Sequence, residues 1–189
     1  MRLKLATPPA WTEAVLADFD SFLLDHAACE RKASAAAMGM VAHYPDRREL
    51  VEACVELARE ELAHFQAVWR RIDARGLVLR PDTRSEYVDR LSRHFRQGSG
   101  LYFLDRLLTA AIAESRGCER FGLVAAALPE GELKEFYRDL ARAEARHQDL
   151  YIELARTYFD GAEAEVRLEE LLDAEARVVA ELPVRAALY

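Results

Sequence analysis

Apolar residues return every three to four positions along most of the chain, the period of an amphipathic helix. Four long stretches carry it. The first is capped at Asp18 or Asp20, runs to about Tyr44, and turns Phe19, Phe22 or Leu23, His26, Glu30, Ala33, Ala37 and Val41 to one side. The second starts at Asp46 and ends near Gly76, with Cys54, Leu57, Glu61, His64 and Val68 in its stripe. The third, about Leu101 to Leu128, aligns Leu104, Leu107, Ala111, Glu114, Cys118, Phe121 and Val124. The fourth, about Glu130 to Phe159, aligns Tyr137, Leu140, Glu144, His147, Tyr151 and Leu154. Pro45 and Pro129 punctuate the turns within each pair, and Gly161 is expected to stop the fourth helix. Shorter helices are predicted at Trp11–Ala17, at about Ser85–Arg96 and, strongly acidic, at about Ala162–Leu182. Residues 1–10 read as an arm and residues 77–84 as an irregular connection.

Two helix pairs with short internal turns, joined by a long connection from about 77 to 100, predict an all-α, ferritin-like four-helix bundle. The long crossover lies between helices two and three, and the short helices are accessory. One domain is expected over residues 1–189, with its core bundle at about 19–159 and a last helix at about 162–182. Composition agrees: 51% of residues are hydrophobic, and the 189-residue chain has only 8 Gly and 6 Pro. Three cysteines with no CxxC pair argue against a disulfide framework and for a reducing compartment. No apolar run approaches the ~20 residues of a membrane span, and the N-terminal residues lack the apolar core expected of a signal peptide. The expectation is a cytoplasmic protein with no membrane partner. A net charge of −7 gives no global reason to expect a nucleic acid, so any such partner needs a local patch.

The stripes contain residues that do not belong in an ordinary core. Leu57-Ala-Arg-Glu-Glu61-Leu-Ala-His64 returns as Leu140-Ala-Arg-Ala-Glu144-Ala-Arg-His147, an offset of 83 residues. In each copy a Glu stands three positions before a His, so both project from one helix face. Buried carboxylates and imidazoles are costly unless a cation binds them, and a metal pair is the simplest resident. Such a site wants one further carboxylate from each partner helix. Glu61 lies 16 residues after Pro45 and Glu30 lies 15 before it; Glu144 and Glu114 lie 15 residues either side of Pro129. Glu119 is the rival in the third helix, because Cys118-Glu119-Arg120 echoes Cys29-Glu30-Arg31. At five residues from Glu114 it would be misplaced by ~7–8 Å along the helix. Glu114 is preferred.

Four carboxylates and two imidazoles suit iron or manganese, and two divalent ions would balance the four negative charges. The absence of thiolate ligands argues against structural zinc. His26 lies one turn from Glu30 and could orient its carboxylate, although a core or surface histidine is the plainer reading. His43 and His94 are expected to be exposed, and Cys29, Cys54 and Cys118 to be small core residues. Tyr137 and Tyr151 could be redox-active or bond to ligands, with packing as the default. From Arg70 to Arg96 eight arginines stand against four acids, a basic stretch that could hold phosphates or be a solvated, salt-bridged surface.

The phrases Asp25-His26-Ala-Ala-Cys-Glu30-Arg-Lys-Ala, Arg59-Glu-Glu61-Leu-Ala-His64-Phe, Ala113-Glu114-Ser-Arg-Gly-Cys-Glu-Arg-Phe121 and Glu144-Ala-Arg-His147 resemble the tRNA 2-methylthio-N6-isopentenyladenosine hydroxylases. The resemblance covers nearly the whole chain. It implies a non-haem di-iron monooxygenase with Glu30, Glu61, His64, Glu114, Glu144 and His147 as ligands of two iron ions (Fe2+/Fe3+). It also implies O2 as co-substrate, electrons from an external donor, and hydroxylation of the isopentenyl chain of a hypermodified adenosine beside the tRNA anticodon. The Arg70–Arg96 stretch would then receive the anticodon loop. The alternatives are a ferroxidase or iron-storage protein and a manganese catalase-type peroxide enzyme. A monomer or dimer would fit the hydroxylase, and a large cage would fit storage.

Overall fold

The computed structural model describes residues 1–189, and every regular element in it is helical: α1 (Pro9–Ala17), α2 (Phe19–His43), α3 (Arg48–Ala74), α4 (Glu86–Ser92), α5 (Ser99–Ala127), α6 (Glu132–Tyr158) and α7 (Gly161–Glu181). The chain divides into two compact units. One comprises residues 13–83 and 185–188; the other comprises residues 1–12, 84–184 and 189.

The first unit is built on the α2–α3 hairpin. Asp18 caps α2, its side chain accepting the Ser21 amide at 3.1 Å. The turn at Pro45 closes with the Arg47 amide donating to the Tyr44 carbonyl, and α3 begins at Arg48 rather than at Asp46. α3 ends in a Schellman motif: the Gly76 amide reaches the Asp73 carbonyl at 2.8 Å and the Leu77 amide reaches Ile72 at 3.1 Å. Gly76 sits at φ 70°, a conformation costly for any residue with a Cβ. The buried face of α2 is Phe22, Leu23, His26, Ala27, Glu30, Ser34, Ala37 and Met40. Ser34 and Met40 therefore replace the expected Ala33 and Val41. The stripe drifts with the 3.6-residue period, and the Ser34 hydroxyl is satisfied by the Ala58 carbonyl at 2.8 Å. The buried face of α3 is Leu50, Cys54, Leu57, Ala58, Glu61, Val68 and Ile72.

In the second unit α5 and α6 form the matching hairpin, and α7 packs on α5, α4 and α6. Gly161 begins α7 instead of merely stopping α6. Asp160 is the cap, accepting the Ala162 and Glu163 amides at 2.9 and 3.1 Å. The accessory helix α4, capped by Ser85, ends at Ser92, four residues short of the expected Arg96. Arg96 instead turns its amide and guanidinium onto the buried Asp105, which also receives Arg167. α5 is buried far beyond one stripe. Ser115 and Arg116, outside the expected stripe, are both inside.

That burial is explained by a polar cluster. The Arg116 guanidinium donates to both oxygens of Glu175, to the Thr7 hydroxyl, to the Leu5 carbonyl and to Glu119. Glu119 also accepts the Thr7 amide at 3.0 Å and the Thr7 hydroxyl at 2.6 Å. Tyr87 on α4 donates to Glu175 at 3.1 Å. Burial, reinforced by neighbouring Glu175, pushes the Tyr87 phenol well above its ordinary pKa, so it stays a neutral donor. The arm thus fastens to α5 through its main chain and the Thr7 hydroxyl, and to α7 through the Lys4 side chain, which reaches Asp173 at 2.7 Å. No helix is long and apolar enough to cross a membrane.

Candidate metal centre

The α2–α3 hairpin brings Glu30, Glu61 and His64 together, each offering a ligand atom within 4.8 Å of the others. Glu30 and Glu61 are buried, and His64 is 16% exposed at its side chain. Nδ1 of His64 lies 3.6 Å from Glu30 Oε2 and 3.6 Å from Glu61 Oε2. Behind Glu30, His26 is fully buried with Nε2 2.6 Å from Glu30 Oε1. The two readings of His26 therefore merge, since it is a core residue whose polar atom fixes a candidate ligand.

Charge in this triad is compensated in part by His64. Burial by itself would raise the Glu30 carboxyl, but hydrogen bonds from His26 and His64 overcome it and hold the group well below the usual carboxylate range. Burial likewise opposes a charged His64, yet its bonds to Glu30 and Glu61 raise it to about 10. A metal ion taken up here would displace that proton.

The α5–α6 hairpin brings together Glu114, Glu144 and His147, also within 4.8 Å of one another and all buried. Gly117 lets α5 approach α6 closely: a Cβ added there would lie 3.2 Å from Glu144 Oε2. Glu119 is not in this group; Arg116 and Thr7 occupy it, as described above. The depth argument that preferred Glu114 therefore picks the residue that stands beside Glu144 and His147. Apolar Leu57, Leu107, Ala111 and Leu140 are buried in the same stripes.

Each triad has donors that fit a transition-metal ion. Ligands held at about 2.0–2.2 Å from a shared ion lie at most about 4–4.5 Å apart, comparable to the spacing observed. Two carboxylates and one imidazole per triad, without sulfur, match iron or manganese better than copper or structural zinc.

Among the remaining candidates, His43 and His94 are exposed as expected. Cys54 is a core residue, whereas Cys29 and Cys118 are only half-buried. Tyr137 packs with Phe121 and Phe136 at ring separations of 5.8 and 5.2 Å, in keeping with a packing role, and Tyr151 is buried. In the basic stretch Arg71 bonds the Ala67 carbonyl, Arg75 pairs with Asp20, Arg90 with Glu86 and Glu181, and Arg96 with Asp105. Arg70, Arg80, Arg84 and Arg93 are exposed, Arg70 holding only a long bond to Gln66. No local pattern marks the Arg116–Glu175 pair, which joins residues 59 positions apart.

Comparison with known proteins adds the chemistry of relatives. The chain is 39% identical over 173 residues to the tRNA 2-(methylsulfanyl)-N(6)-isopentenyladenosine(37) hydroxylase of Pseudomonas putida, covering 92% of this chain and 84% of that one. It is 38% identical over 112 residues to the Salmonella typhimurium protein of the same name, covering 59% of this chain and 41% of that one. A solved structure, protein 43 with aldehyde deformylating oxygenase activity from Synechococcus, superposes with a TM-score of 0.92 at 38% identity. It covers 98% of this chain and 93% of its own, and bears out the all-α, ferritin-like class. Residues 1–186 match the family described as tRNA-(MS2IO6A)-hydroxylase (MiaE), and the chain belongs to that family.

Proposed function

We propose that this protein hydroxylates the isopentenyl side chain of 2-methylthio-N6-isopentenyladenosine in tRNA. The observation that carries the reading is the pair of buried Glu/Glu/His triads in a chain of the hydroxylase family. Glu30, Glu61 and His64 with Glu114, Glu144 and His147 hold two iron ions, and residues 1–189 work as a single domain. Iron, when bound, supplies the O2-dependent oxidising chemistry, with O2 as co-substrate. One oxygen atom enters the substrate C–H bond as hydroxyl and the other leaves as water, which requires two electrons and two protons from an external donor.

The protein's own residues do the rest. The carboxylates neutralise the metal charge inside an apolar stripe, which makes burial of both tolerable. His26 fixes Glu30. Leu57, Leu107, Ala111 and Leu140 keep water from the reacting centre. Arg70, Arg80, Arg84 and Arg93, the exposed arginines of the Arg70–Arg96 stretch, meet the phosphates of the anticodon loop. The protein is cytoplasmic, where tRNA is found, and works as a monomer or dimer with an electron-transfer partner.

The test is nucleoside analysis of tRNA carrying the unhydroxylated base, after incubation with iron-loaded protein, a chemical reductant and 18O2. Appearance of the nucleoside heavier by one labelled oxygen is expected; its absence with iron fully loaded would overturn the reading. The likeness to the Synechococcus structure favours a second reading, oxygen-dependent deformylation of an aldehyde. Aldehyde consumption with unchanged tRNA would select it. A cage on sizing would point to iron storage, and two manganese ions with gas evolved from peroxide to a catalase-type enzyme.

A further inference from the structure

We infer that Tyr189 is a positioning residue for the α5–α6 triad, steadying Glu114 through the adjoining peptide and bounding the swing of the Glu144 carboxylate. The inference rests on the reading of that triad as metal-binding. The Tyr189 hydroxyl donates to the Ala113 carbonyl at 2.9 Å. That carbonyl belongs to the peptide joining Ala113 to Glu114, in the middle of continuous α5. One turn along, a methyl added at Gly117 would lie 3.2 Å from Glu144 Oε2 and 3.2 Å from the Tyr189 hydroxyl oxygen. A candidate ligand and the phenol therefore crowd the same point of bare helix backbone.

The phenol is held there by its other face. Its ring stacks on Tyr87, with centroids 4.9 Å apart and planes 16° from parallel. Tyr87 is itself fixed by its bond to Glu175, which Arg116 grips. Around the two rings lie Leu5, Leu91, Val178 and Leu182. In that apolar setting Phe would fill the same volume, so packing gives no reason for a hydroxyl. Nor does the Ala113 carbonyl need rescue, since it lies inside a helix rather than at an end. What the hydroxyl adds is a fixed distance between the aromatic layer and the backbone that carries Glu114. Groups one layer behind metal ligands typically change metal affinity 10–100-fold.

The experiment titrates metal-free wild type, Tyr189→Phe and Gly117→Ala with Co(II) under anaerobic conditions, reading affinity and the visible ligand-field bands. Melting of the metal-free proteins is recorded alongside. In Tyr189→Phe the ring and its stacking survive, so melting should hold. One Co(II) ion should bind about tenfold more weakly with shifted bands. Gly117→Ala presses both the same carboxylate and the Tyr189 hydroxyl from the helix backbone and should shift the same bands. Wild-type affinity and an unshifted spectrum in Tyr189→Phe would overturn the inference, whatever the melting temperature does. Wild type that takes up no Co(II) would overturn the metal reading itself, a failure distinguishable from the first.

Discussion

Glu175 and Arg116 are both wholly buried and meet through two parallel bonds, Nε to Oε1 at 2.8 Å and Nη2 to Oε2 at 2.9 Å. Neither carries metal, yet Arg116 is two residues from Glu114. Removing Glu175 leaves the buried Arg116 with the partly exposed Glu119 as its counter-charge and two guanidinium donors unmet. We expect Glu175→Leu to cost about 3–5 kcal/mol of unfolding free energy, measured by urea denaturation. Replacing both with apolar residues should cost less than replacing one.

Glu114 and Glu119 make opposite predictions. Glu114→Ala should lower the iron bound per chain from about two and leave the melting temperature of the metal-free protein nearly unchanged. Glu119→Ala should keep its iron and lower that temperature, because Arg116 and Thr7 lose a partner. Iron analysis beside thermal melting separates them.

The depth of each glutamate from its proline turn was legible in the sequence because helix rise converts residue count into distance. The same holds for the four long helices and the short α4. Legibility failed wherever the deciding partner lay far along the chain. Arg116 looked like a surface residue because Glu175, Thr7 and Leu5, which neutralise and enclose it, are 59, 109 and 111 positions away. Ser34 displaced Ala33 from the core for a similar reason, its hydroxyl being met by Ala58 across the hairpin. His26 was nearer to hand, since its spacing from Glu30 and its place in the stripe were visible, and only the 2.6 Å contact to Glu30 was not.

His26→Leu should weaken metal binding by the triad of Glu30, Glu61 and His64 about 10–100-fold, and His26→Gln should recover part of it. Competitive titration against a chromogenic chelator gives the number. Equal affinity in wild type and His26→Leu would reduce His26 to packing.

Asp105 supplies a pH dependence away from the candidate ligands. Burial would raise its carboxyl, but bonds from Arg167 and Arg96 hold it below the ordinary 3.8. A depressed folded-state pKa contributes stability that is present above about 3.8 and is lost as pH falls further. Acid melting of the metal-free protein should therefore steepen below that point, and Asp105→Asn should be less stable at neutral pH with a flatter acid limb.

Exposed arginines should matter to RNA rather than to iron. Substituting Arg80, Arg84 and Arg93 by Ala should weaken binding of an anticodon stem-loop and reduce the slope of log affinity against log salt by about 0.7–1 per lost phosphate contact. Iron content should stay at the wild-type level. An unchanged slope would move the RNA seat elsewhere.

The arm's attachment has a kinetic consequence. Leu5 meets Arg116 across 111 positions, Thr7 meets Glu119 across 112, and Lys4 meets Asp173 across 169. The α2–α3 and α5–α6 hairpins close over short loops and can form early, whereas contacts of such separation carry the greatest loop-closure entropy. During synthesis Leu5 and Thr7 have no docking partner until α5 has left the ribosome, and Lys4 has none until α7 has. Residues 4–7 are made before the helices they dock on and settle after them, so the Arg116 charge is enclosed only once Glu175 on α7 is available.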